Sequence, residues 1–186
     1  MLDGGQLIRF RHIVQDREIE TWQGRKSFGF IPEEELLFVT VLRAGLPMIE
    51  SAADPFPGAA SGFLAMKCDE RTHRSVTYYD PVPECEGKTA ILVDPMVATG
   101  GTLCDAAEHI KGKSAGRILS LNLIGAPEGL AVVSEKHPDI EIYIAQIDER
   151  LNDQKFILPG LGDAGVAHTI HRNESLLSGK EGIDDI

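Results

Sequence analysis

The residues whose types and spacing could do chemistry are concentrated between Val93 and Thr102. An acid (Asp94) is followed by Pro95, two hydroxyl residues (Thr99 and Thr102) and the adjacent glycines Gly100 and Gly101. This is the composition of an anion cradle. Glycines let the backbone approach a phosphate closely, and threonines add hydroxyl donors. A helix opening at Thr102 would aim its first-turn N–H groups and the positive end of its dipole at the ligand. A plain strand-to-helix turn capped by Thr102 is the simpler use of the same residues. No lysine follows the glycines, so this is not the GxxxxGK[ST] loop of nucleoside triphosphate enzymes, and GxGxxG is absent too. A second place for chemistry is Arg43-Ala44-Gly45, where a forked, permanently charged donor follows an apolar run. Its ordinary use would be a surface ion pair. A third is the glycine-rich Leu158-Pro159-Gly160-Leu161-Gly162-Asp163-Ala164-Gly165.

These residues need elements to hold them. Leu36 to Leu42, Thr89 to Val93, Ile118 to Ile124 and Ile140 to Ile147 are short apolar, β-branched runs, each stopping at a polar or glycine-rich loop. Between them, Thr102 to Lys111 carries Leu103, Ala106, Ala107 and Ile110 at helical spacing, and Glu128 to Lys136 is a second helix. Alternating strands and helices give a parallel α/β sheet, whose ligands sit beyond the carboxyl ends of the strands. Residues 67–86, with Arg71, His73, Arg74, Tyr78 and Tyr79, read as an exposed hairpin or flap. The first thirty residues show only weak alternation around Ile19, Thr21 and Trp22.

The chain has 186 residues, with 29 Asp+Glu against 18 Lys+Arg, a net charge of −11. That length suits one domain, expected over residues 1–172, with an acidic, loose tail at 173–186. The charge disfavours nucleic acid and anionic membranes as partners, while leaving a small anion possible. No apolar run approaches the ~20 residues of a membrane span, and the first residues lack the apolar stretch of a signal peptide. Cys68, Cys85 and Cys104 are odd in number and have no paired spacing, so a reducing cytosol is expected.

The string Val93-Asp94-Pro95-Met96-Val97-Ala98-Thr99-Gly100-Gly101-Thr102 resembles the phosphoribosyl-pyrophosphate (PRPP) loop of type I phosphoribosyltransferases. Most type I enzymes have two acids there, whereas the uracil phosphoribosyltransferase family has Asp-Pro, the form seen here. Val41-Leu42-Arg43-Ala44-Gly45-Leu46 resembles that family's pyrophosphate loop. Ala126-Pro127-Glu128-Gly129 with His137-Pro138-Asp139 resembles its third sheet loop and following helix. Leu158 to Gly165 resembles its uracil-recognition segment, and the likeness runs from about Trp22 to Ile170.

The resemblance implies a type I phosphoribosyltransferase fold, with a parallel sheet flanked by helices, a flap hairpin and a C-terminal base-recognition segment. It implies transfer of phosphoribose from PRPP to N1 of uracil, giving uridine monophosphate (UMP) and pyrophosphate, with Mg²⁺ held mainly by the substrate. Asp94 would face the ribose hydroxyls, and Ala98, Thr99, Gly100, Gly101 and Thr102 would hold the 5′-phosphate, with Pro95, Met96 and Val97 completing the loop. Arg43 would meet the pyrophosphate and Asp163 would act on the same side through Mg²⁺ and water, making Arg43, Asp94 and Asp163 the catalytic set. Backbone groups of Ile157, Gly162 and Ala164, beside Asp163, would read uracil and reject cytosine, whose amine offers a donor where uracil accepts. No residue is required as a general base, and His137 and His73 receive no role. A cis peptide, if present, belongs at Arg43-Ala44. A homodimer or higher homo-oligomer is expected.

Three departures accompany the likeness. Counting forward from Arg43 places Cys68 where the family has a second pyrophosphate-binding arginine, a loss worth ~1.5–3 kcal/mol of charge-assisted contact. The family's N-terminal helical arm is shortened, and the acidic tail extends past its usual end. These motivate an alternative, a non-catalytic or weakly active relative that binds UMP or PRPP as a sensor. A transferase for another base, and an RNA-binding regulator on the same fold, rank lower.

Overall fold

The computed structural model describes residues 15–68 and 75–160. It begins with an antiparallel hairpin, β1 (Gln15–Thr21) and β2 (Gly24–Phe30), whose tip residue Trp22 is fully exposed. Sequence alternation there is weak because both faces of the hairpin meet solvent within this chain. β3 (Leu36–Val41) follows, then α1 (Leu46–Ala53), β4 (Ala60–Cys68) and β5 (Ser75–Tyr79). The second half alternates as expected: β6 (Thr89–Val93), β7 (Met96–Val97), α2 (Gly101–Gly112), β8 (Arg117–Gly125), α3 (Pro127–Lys136) and β9 (Glu141–Ile147). A short ladder of β10 (Arg150–Leu151) and β11 (Ile157–Leu158) closes the described chain.

The main sheet runs β5-β4-β3-β6-β8-β9, with β7 on the same flank of β8 as β6. Every pairing from β4 through β9 is parallel, and β5 alone is antiparallel. The fold class expected from the alternating runs is the one observed. Its core strands are apolar along their length because helices cover both faces. Leu37, Val39, Ala90, Leu92 and Ile118 pack under α2, whose Leu103, Cys104, Ala106, Ala107 and Ile110 are buried. Leu36, Phe38, Ile91, Val93 and Leu119 face the other way, onto Ile49 of α1, and Phe38 stacks on Phe56 at 5.8 Å.

Two expectations need correction. The flap does not extend over residues 67–86. Its first strand is β4, which starts as a core strand beside β3 and pairs with β5 beyond a bulge at Ala65/Met66. Its second strand ends at Tyr79, because Pro81 and Pro83 have no N–H to continue a ladder. There Asp80 Oδ2 meets His109 Nε2 and Lys113 Nζ of α2 and its C-cap, each at 2.8 Å, which fastens the flap's base. The flap tip, with Arg71, His73 and Arg74, lies outside the described residues. The second correction concerns α2, which starts at Gly101, with Gly100 rather than Thr102 at the N-cap.

Candidate active site at the carboxyl edge of the sheet

Parallel strands send their carboxyl ends to one edge, and the loops after β3, β6, β8 and β9 all leave from it. After β6 the chain reaches Asp94 and Pro95. Pro95 donates nothing to the ladder, but its carbonyl accepts from the N–H groups of Leu123 and Ile124 at 3.1 and 3.0 Å. Pairing then resumes in register: Val93 faces Leu121, and Met96 faces Ile124, three residues on in both strands. The loop therefore enters its turn already fastened to β8.

Gly100 then takes a φ of 78°, a left-handed conformation natural to glycine, and a Cβ there would press on the Gly129 carbonyl. A Cβ on Gly129 would in turn overlap the Ala98 carbonyl. The two glycines thus let the loop interlock with the first turn of α3. The first N–H of α2 to bond back is that of Cys104, to the Gly100 carbonyl at 3.0 Å. The N–H groups of Gly101, Thr102 and Leu103 have no such partner in the helix and point out of its end, beside the exposed Thr99 and Thr102. This is an anion-binding arrangement in three dimensions.

Asp94 sits deep at the base of this loop. Burial pushes its carboxyl up to a pKa of about 6, and the Met96 N–H, 3.5 Å from Oδ1, pulls modestly the other way. It is mostly ionised at neutral pH and able to accept hydrogen bonds from hydroxyl groups. Arg43, after β3, is exposed, and the peptide joining it to Leu42 is cis, one bond before Arg43-Ala44. Its carbonyl accepts from the Leu46 N–H at 3.2 Å, which bends the loop straight into α1.

The opposite side of the edge is built by the end of β9 and the β10–β11 ladder. Asn152 donates its N–H to the Phe156 carbonyl at 2.9 Å, so the next pair, Leu151 and Ile157, is the non-hydrogen-bonded one. The N–H and C=O of Ile157 therefore point away from β10, while its side chain is fully buried. Glu128 Oε1 accepts the Leu151 N–H at 3.0 Å, tying this ladder to the start of α3. Gly160 packs against the carboxylate of Asp148, whose Oδ2 is buried and has no hydrogen-bond partner among the described residues. Gly162, Asp163 and Ala164 lie outside the described residues.

The structure thus brings Arg43, Asp94 through Thr102 and Ile157 to one edge. Among the described residues no three His, Cys, Asp or Glu side chains gather as a metal cluster.

A family model described as uracil phosphoribosyltransferase matches residues 7–166. The chain belongs to the uracil phosphoribosyltransferase family. It is 45% identical over 153 residues to the Aquifex aeolicus (strain VF5) protein of that name, covering 82% of this chain and 74% of that one. The protein of the same name from Clostridium botulinum (strain Eklund 17B / Type B) is 42% identical over 153 residues, covering 82% and 73%. A solved Aquifex aeolicus structure superimposes with a TM-score of 0.73 at 45% identity, covering 82% of this chain and 73% of that one. Family membership gives the shared fold a function. The structure adds three buried polar strand residues beneath the Asp94–Thr102 loop that the motifs do not include, Thr40, Ser120 and Asn122, and it bonds Glu128, already within the Ala126–Gly129 motif, to the β10–β11 ladder. The available signal was a polar residue within an otherwise apolar strand run, near its carboxyl end.

Proposed function

We propose that the chain transfers the phosphoribosyl group of PRPP to N1 of uracil, releasing pyrophosphate and forming UMP. The family match over residues 7–166 is the observation that carries this reading. The geometry supports the division of labour. The outward N–H groups of Gly101 to Leu103, with the hydroxyls of Thr99 and Thr102, suit a 5′-phosphate dianion. The ionised Asp94 carboxylate, at the loop's base, accepts the ribose hydroxyls and fixes the ring. Arg43 reaches the departing pyrophosphate from the neighbouring loop, where a guanidinium suits a polyanion. Breaking the bond at C1′ develops positive charge on the sugar and negative charge on the leaving group, so positioning and electrostatics carry the reaction.

A fit for Mg²⁺ follows from the donor set. Oxygen ligands are what this ion prefers, and it commonly keeps waters and binds substrate phosphates with one or two carboxylates. Bound with PRPP, the ion would be held mainly by the substrate's phosphates, with Asp163 assigned to that side through water, and it would neutralise pyrophosphate charge. Uracil is read by the backbone of Ile157, Gly162 and Ala164, beside Asp163. We place the protein in the cytosol, consistent with the buried free thiols of Cys85 and Cys104. We also assign it a homo-oligomeric state, consistent with the unpacked faces of the β1–β2 hairpin and its exposed Ile19, Trp22 and Phe28. A single domain over residues 1–172 fits the continuous sheet.

The direct test incubates the protein with radiolabelled uracil, PRPP and Mg²⁺, beside an Asp163→Ala control. Labelled UMP, lost in the control, is expected. Nucleotide binding by calorimetry with no UMP at millimolar substrate would overturn the transferase reading in favour of a sensor.

A further inference from the structure

The two carbonyls at which the phosphate loop leaves the sheet are each held by a buried polar side chain, and the two come from opposite faces. Thr40 Oγ1 donates to the Val93 carbonyl at 2.6 Å, and Asn122 Nδ2 donates to the Asp94 carbonyl at 2.8 Å. Ser120 Oγ donates to Asn122 Oδ1 at 2.6 Å, which sets the orientation of that amide. All three side chains are almost wholly buried. Thr40 lies on the α1 face, two residues beyond Phe38, and Asn122 lies on the α2 face, four residues beyond Ile118.

Polar groups in such a place are costly unless bonded. At Asp94 the N–H bonds the Leu121 carbonyl at 3.1 Å, while the carbonyl takes its hydrogen bond from the Asn122 amide. What these side chains add is direction. A carbonyl gripped from the side cannot rotate its peptide, and the peptides after Val93 and Asp94 aim the Asp94 carboxyl and the whole turn that follows.

Thr40 does a second thing. A Cβ on Gly45 would overlap Thr40 Oγ1 and lie 3.0 Å from the Val93 carbonyl oxygen. The hydroxyl therefore stands where the exits of β3 and β6 touch, between the Arg43 loop and the phosphate loop. Those loops are assigned to opposite ends of one substrate, the pyrophosphate and the 5′-phosphate, and C1′ lies between them.

We propose that Thr40 and Asn122 are positioning residues that fix the exit of the phosphate loop and, through the Thr40–Gly45 contact, its spacing from the Arg43 loop. Which substrate benefits rests on the transferase reading; the mechanical role does not.

Thr40→Ser and Thr40→Ala differ from each other by one oxygen. Hydrogen exchange in the ligand-free protein reads the loop directly. Thr40→Ala is expected to speed exchange at Asp94 and Met96, whose N–H groups are bonded at the loop's exit, about tenfold, the worth of one buried hydrogen bond, while Thr40→Ser stays within about twofold of the parent. Exchange in β8 and β9 serves as the control, since a global loss of stability would accelerate it equally. Calorimetry with PRPP should show the same tenfold contrast, and Asn122→Leu should follow Thr40→Ala. In turnover, the KM for PRPP should rise and that for uracil should not. Equal loop exchange in the Ser and Ala variants, or acceleration that β8 and β9 share, overturns the proposal. A parent that forms no UMP but shows the exchange contrast would sink the transferase reading and leave the positioning role standing. UMP formation without the contrast would do the reverse.

Discussion

Between Asp94 and Thr102 the chain is bonded to β8 through the Pro95 carbonyl, interlocked with α3 at Gly129, and gripped beneath by Thr40 and Asn122. Between Glu149 and Leu158, at the same edge, it is a ladder of two residue pairs, closed on itself by the Glu149 N–H bonded to the Leu158 carbonyl and tethered to α3 by the Glu128 carboxylate. The first region is built into the core, and the second is hung from it. An array of N–H groups stabilises an anion only when the array is fixed before the anion arrives, and the heavier construction of the first region suits the phosphate-binding role proposed for it. The role proposed for the second region, reading one edge of a neutral ring, asks only for register in a short ladder, which two pairs and one tether suit.

The comparison breaks most severely at the interlock. Gly129→Ala drives a methyl into the Ala98 carbonyl, with backbone on both sides and nowhere to yield. A loss of about a hundredfold or more in kcat/KM for PRPP is expected, with KM for uracil near the parent value, from steady-state kinetics on protein whose melting curve confirms folding. A uracil effect of equal size would mean that the two regions are one mechanical unit.

Arg43→Ala comes next. Removing one charge-assisted contact to a polyanion should weaken PRPP binding by roughly ten- to a hundredfold in calorimetry. Arg43→Lys should recover part of it, since it keeps the charge and loses the fork.

Asp94 sharpens the phosphate side through pH. Its native pKa of about 6, above the ordinary 3.8, means that the folded state binds this proton more tightly than the unfolded state. The sign follows: the burden on stability is absent below pH ~4, grows as pH rises toward 6, and is full above. Asp94→Asn should therefore stabilise the protein by up to about 3 kcal/mol at pH 8 and hardly at all at pH 4, read by denaturant unfolding. The same substitution should lower kcat/KM for PRPP about tenfold and remove an inflection near pH 6 from the parent's profile. A parent profile flat through pH 6 would show that the carboxylate is not needed ionised.

The smallest effect belongs to the tether. Glu128→Ala should raise the KM for uracil several-fold and leave that for PRPP within about twofold, with Glu128→Gln, which keeps an acceptor for the Leu151 N–H, close to the parent. A PRPP effect would show that the ladder and the phosphate loop communicate through α3.

Legibility in the sequence followed the range of the interactions. The runs at Leu36, Thr89 and Ile118 are readable because strands covered on both faces are apolar throughout, and the Ile140 run, an edge strand half open to solvent, is readable by its β-branched residues; the bounds differ by a residue or so. β4 was not, because its line of Ala, Ser, Gly and Met carries no clear period, and it leaves the core halfway along to become the flap. α1 was passed over as a short helix buried chiefly through Ile49. Residue type favours Thr102 as the cap, but Gly100 takes that place because the chain turns left-handed there against α3.

The sequence by itself determined the make-up of the loop we propose holds the phosphate, since an acid, a proline, two threonines and two glycines in ten residues act on neighbours along the chain. It also determined the parallel sheet that carries the loop, through apolar runs alternating with helical spacing. Only the tertiary structure decided what steadies the loop. Thr40 and Val93 are 53 residues apart, and Asn122 and Asp94 are 28. Strand periodicity says which face a side chain occupies and nothing about which neighbouring strand, at which register, will offer it a carbonyl.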